Sequence, residues 1–93
     1  MFGNSLAATS GVLTNSTPVQ VDLAANTATL TVYVRPAAGD TVTVEYTLDG
    51  TNWTAWDNGS VTAYSVDILD APVLALRFTR TAGSGTTSAY GIL

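Results

Sequence analysis

The 93-residue sequence contains no cysteine, no histidine and no lysine. Without cysteine there is neither a disulfide framework nor a thiolate metal site, so packing alone must hold a small core together. Without histidine or cysteine, the Ser-His-Asp and Cys-His arrangements for nucleophilic catalysis are excluded. Without lysine, so are a Schiff base and a Ser-Lys dyad. The chain is therefore expected not to be an enzyme and to carry no cofactor.

Charge is also scarce. The only cations are Arg35, Arg77 and Arg80, set against six Asp and one Glu, for a formal net charge of -4. Affinity for phosphates comes mainly from clustered Lys and Arg, so binding to nucleic acid or to an anionic membrane surface is disfavoured. No run approaches the roughly 20 apolar residues of a membrane span. The opening "MFGNSLAATSGVLTNS" lacks a basic n-region and a continuous apolar stretch, so synthesis and folding in a cytoplasm are expected. The carboxylates of Asp22, Asp40, Asp57, Asp67 and Asp70 fall in different segments rather than at the fixed spacing of a calcium loop. They read as turn formers, and no metal site is expected.

What the sequence does have is β-branched and aromatic residues in short runs. From Pro18 onward, segments rich in Val, Thr, Tyr and Leu alternate every 8 to 12 residues or so with Asn, Asp, Gly and Pro. That rhythm predicts an all-β fold, a small antiparallel β-sandwich or β-barrel of about seven strands. The strands are expected at 19–23, 28–35, 41–48, 53–56, 61–68, 73–81 and 86–92. Turns are expected at "AANT", "PAAGD", "DGTN", "DNGS", "LDAP" and "AGSG". Residues 1–17 are small, uncharged and without alternation, which predicts an extended N-terminal arm preceding one β domain at 18–93.

Alternation assigns faces within each strand. Three sets are expected to form the core: Val42, Val44, Tyr46 and Leu48; Leu74, Leu76 and Phe78; and Tyr64, Val66 and Ile68. In "ATLTVYVR", Leu30, Val32 and Val34 join them, which leaves Tyr33 outside beside Arg35 on a Thr-rich face.

The two tryptophans lie in "EYTLDGTNWTAW". A two-residue turn at Asp49-Gly50 or at Gly50-Thr51 would point Trp53 inward and Trp56 outward; a three-residue turn would reverse both. In a regular strand, residues three apart point to opposite faces. One ring is therefore core, and the other is available at the surface.

With "VEYTLDGTNWTAW" followed by "LRFTRTAGSGTTS", the chain from Val19 onward resembles the small virion proteins of tailed bacteriophages. These are capsid decoration (cement) proteins and head or tail accessory proteins. The resemblance implies a structural virion protein assembled in the host cytoplasm as a homo-oligomer, a trimer or dimer, on a major capsid protein or another virion protein. Low charge suits a dry interface of that kind. The expected contact residues are Phe2, Leu6, Val12 and Leu13 in the arm, with Tyr33, Trp53 and Trp56. "DGTNW" hairpins also occur in carbohydrate-binding modules, so the alternative is a carbohydrate-binding or adhesion module on a phage tail or fibre. Its aromatic contacts would be Trp53, Trp56 and Tyr33.

Overall fold

The computed structural model describes residues 9–23, 30–70 and 73–92. Every regular element in them is a strand. There are eight: β1 (Thr9–Leu13), β2 (Val19–Asp22), β3 (Leu30–Arg35), β4 (Thr41–Thr47), β5 (Trp53–Val61), β6 (Ser65–Leu69), β7 (Ala75–Ala82) and β8 (Ser88–Ile92). They form two four-stranded sheets, sheet A in the order β1-β8-β3-β6 and sheet B in the order β2-β7-β4-β5. All pairings are antiparallel. The fold is thus a β-sandwich rather than a single closed barrel. Apart from the β4–β5 hairpin, each strand is followed by one in the opposite sheet, which is the connectivity of an eight-stranded jelly roll.

The core is the layer between the sheets. Leu30, Val32 and Val34 of β3 face Val42 and Val44 of β4 and Leu76 and Phe78 of β7, all buried. Phe78 stacks on Tyr90 of β8 with ring centroids 4.5 Å apart, joining the two central strands β7 and β8 across the interior.

Several expected assignments change. Residues 9–13, assigned to the arm, pair with β8 as an edge strand, and Leu13 is only 1% exposed. Alternation is hard to see in "TSGVL" because Gly11 occupies an inward position, where the Tyr90 ring leaves no room for a Cβ. Phe2 and Leu6 lie outside the described residues, as do the whole expected "AANT" turn and the second half of "LDAP". "DNGS" is not a turn between strands but a bulge within β5. The register runs from Thr43↔Ser60 to Glu45↔Ala55, so the segment from Trp56 to Gly59 stands opposite Val44 alone. Gly59 adopts φ +58°, a conformation that most side chains avoid. The expected strand at 61–68 is divided: Val61 ends β5, and β6 begins at Ser65 in the other sheet.

The largest correction concerns orientation. Tyr64, Val66 and Ile68, expected in the core, are 60%, 51% and 59% exposed, and Leu48 and Leu74 are exposed as well. Leu48 has left β4 for the loop before β5, and Leu74 precedes β7. In β6, the alternation itself is as expected but its sign is opposite. Ser65, Asp67 and Leu69 point inward, across from Val34, Val32 and Leu30. The cause is Trp56.

Candidate functional site

Trp56 is 1% exposed and projects from edge strand β5 of sheet B. A buried indole N–H requires an acceptor. Asp67, on edge strand β6 of sheet A, provides it: Nε1 of Trp56 donates to Oδ2 at 3.0 Å. Oδ1 of the same carboxylate accepts the backbone N–H of Ile68 at 2.8 Å. The pair closes one open side of the sandwich and holds Asp67 inward, which by the two-residue period of a strand turns Val66 and Ile68 outward.

The outer face of sheet A consequently carries an apolar cluster with polar neighbours. β3 contributes Thr31, Tyr33 and Arg35, β6 contributes Val66 and Ile68, Tyr64 adjoins the start of β6, and exposed Asp70 follows its end. At the far edge stands Val12 of β1, 53% exposed. In the register, Tyr33 lies beside Val66 on one side and Gly91 on the other. A Cβ at Gly91 would collide with the Tyr33 ring, so the ring lies over the β8 backbone. Tyr64 meets Tyr33 edge-on, with centroids 6.4 Å apart and planes at 61°. The Arg35 guanidinium sits over Tyr64, 5.5 Å from the ring centroid.

The outer face of sheet B is different in kind. Arg77 donates from Nε and Nη2 to Oε1 of Glu45, at 3.0 and 2.8 Å. Its guanidinium also lies 4.2 Å from the Trp53 ring centroid. Thr43 bonds Ser60, and Gln20 donates to Asp22. Glu45 with Arg77, Thr43 with Ser60 and Gln20 with Asp22 are thus paired within this face.

The hairpin register is Thr47↔Trp53, which has the parity of the three-residue turn. Trp53 is therefore on the outer face, half-buried under Arg77, and Trp56 is inside. Of the expected contact residues, Val12 and Tyr33 lie on the apolar face. Trp53 is on the opposite sheet, while Leu13 and Trp56 are buried and unavailable for contact. Sequence reasoning missed Tyr64, Val66 and Ile68 because it placed them in the core. Its pointer to Tyr33 beside Arg35 was the signal that led nearest to the patch.

Two aspartates organise loops. Asp40 is buried and accepts hydrogen bonds from Ser88 Oγ at 2.7 Å and from the Gly85 N–H at 2.9 Å. The Ser88 hydroxyl and the Gly85 amide, with nearby Arg80, hold its carboxyl below the usual range despite desolvation. Arg80 in turn donates to the Gly85 carbonyl. A Cβ at Gly83 or Gly85 would collide with the Asp40 carboxylate, so the β7–β8 loop is shaped around that side chain. Asp49 Oδ1 accepts the N–H groups of Asn52 and Thr51, both at 2.8 Å, which holds its carboxyl well below the usual range. Among the described residues, no three carboxylates converge on one point.

Comparison with protein-family models, with curated proteins and with solved structures finds no match.

Proposed function

We propose that this chain is a non-enzymatic virion structural protein of a tailed bacteriophage, a capsid decoration protein that binds the outside of an assembled shell. The observation that carries the reading is the inverted edge strand. A sandwich that turns Val66 and Ile68 outward beside Tyr33 and Tyr64 has a face suited to being covered by protein. The jelly-roll connectivity is compatible with the reading but does not decide it, since viral capsid and lectin domains both use it. The small core favours action in an assembled form, a dimer or trimer on the coat lattice.

The glycan-binding alternative has less support. Tyr33 and Tyr64 are not coplanar, and Arg77 occupies one face of Trp53. The test is cosedimentation with shells assembled without this protein. Saturable, stoichiometric binding is expected, and its absence would remove the decoration role. Deleting residues 2–15 is not a usable probe, because it would take β1 and the buried Leu13 with it.

A further inference from the structure

Resting on that reading, we propose that the protein docks face-on, through the outer face of sheet A, on a coat surface where a carboxylate stands among apolar groups, and that Arg35 pairs with that carboxylate.

Charge identifies the partner's chemistry. Among the described residues, Arg77 is paired with Glu45, and Arg80 bonds the Gly85 carbonyl beside Asp40. Arg35 makes no ion pair there and instead lies over the Tyr64 ring. It is the positive charge beside the apolar cluster of sheet A, in a chain whose net charge is -4. Covering that face with protein takes the guanidinium out of water, and a desolvated charge without a counter-ion is strongly unfavourable. The covering surface must supply a carboxylate, which a planar guanidinium already seated on a ring is well placed to bind.

A second copy of this chain is the occupant that the experiment must separate from the coat: the outward positions of Val66 and Ile68 continue to Asp70, exposed just past β6, so such a copy would bring a carboxylate of its own. Addition of a partner strand to the adjacent edge is obstructed, since the Ile68 N–H on β6 is already bonded to Asp67 and that carboxylate is engaged with Trp56. What remains is contact with the face itself.

The experiment measures cosedimentation with shells assembled without this protein, using the parent chain and four variants: Arg35→Glu, Arg35→Lys and Ile68→Asp on sheet A, and Gln20→Glu on sheet B. A thermal melt of each establishes that it is folded. The expected result is saturable binding by the parent that weakens with salt, and a loss of at least about tenfold for Arg35→Glu and Ile68→Asp. Arg35→Lys should fall between, and Gln20→Glu should bind like the parent.

Parent-like binding by both Arg35→Glu and Ile68→Asp overturns the docking face while leaving the virion role intact. Loss with Ile68→Asp but not with Arg35→Glu overturns the carboxylate partner. A parent dimer in solution that Ile68→Asp dissociates assigns the face to a second copy, and also overturns the proposal. No binding by the parent removes both the proposal and the function on which it rests.

Discussion

The two outer faces of this sandwich are built from the same alternating strands, yet one carries an exposed apolar cluster and the other carries polar pairs. On sheet B, Glu45, Arg77 and Trp53 form a stack, and Thr43, Ser60, Gln20 and Asp22 pair locally. On sheet A, Tyr33 packs against Tyr64 and over Gly91, Arg35 covers Tyr64, and Val66 and Ile68 stand exposed beside them. The difference goes with a single inter-sheet bond. The Trp56 indole draws Asp67 inward, and the alternation of β6 then exposes its apolar residues.

Breaking that latch should have the largest effect. Trp56→Ala removes the largest fully buried side chain, and urea denaturation should show a loss of about 3–5 kcal/mol, a large part of the total stability of so small a domain. Asp67→Ala leaves the indole N–H unpaired, with an expected loss of about 1–3 kcal/mol. In a Trp56→Phe background the same Asp67 substitution should have a much smaller effect, because no indole N–H is left to orphan. An equal loss in both backgrounds would show that the bond does not set the orientation of β6.

Acid should act next, and independently of the two faces. The hydrogen bonds from Ser88 and Gly85 to Asp40, and from Asn52 and Thr51 to Asp49, hold both carboxyls below their ordinary value of 3.8. The native state therefore binds fewer protons than the unfolded chain in that range. Their stabilisation is complete above 3.8 and is lost as pH falls toward the folded values. The melting temperature should depend little on these two groups down to about pH 5 and should decline below about pH 4. Asp49→Asn should flatten part of that decline.

The smallest effect is expected on sheet B. Arg77→Ala breaks a part-exposed ion pair and a cation–π contact, and chemical denaturation should show about 1 kcal/mol or less. A double-mutant cycle with Glu45→Ala isolates the ion pair from the ring contact.

Much of the architecture is legible in the residues. The β-branched runs and their turn punctuation specify strands, and the alternation in β3, β4 and β7 identifies Leu30, Val32, Val34, Val42, Val44, Leu76 and Phe78 as core. The hairpin parity argument also correctly requires one tryptophan inside. The remainder fails for a definite reason: alternation fixes which residues share a face but not which face is inside. In "YSVDIL" the apolar set is the natural choice for the interior. It is overruled because the only inward neighbour that matters, the Trp56 indole, needs an acceptor that Val66 and Ile68 cannot provide. That neighbour is 11 residues away in sequence and reaches Asp67 only because β5 bulges within sheet B and the chain then crosses to sheet A. The candidate docking face was legible only in part, through Tyr33 beside Arg35, because its other members were assigned to the core.

The absence of cysteine makes the orientation of β6 directly measurable. Single substitutions Ser65→Cys, Val66→Cys, Ile68→Cys and Leu69→Cys place one thiol in turn on each face of β6 and leave Asp67 in place. Maleimide labelling of the free protein, repeated on shell-bound protein, reads exposure and contact together. Fast labelling is expected at positions 66 and 68 in solution, slow labelling at 65 and 69, and protection of 66 and 68 on the shell. Fast labelling at 65 and 69 with slow labelling at 66 and 68, or no protection at 66 and 68 on binding, would contradict the inverted orientation of β6 and its role as the docking face.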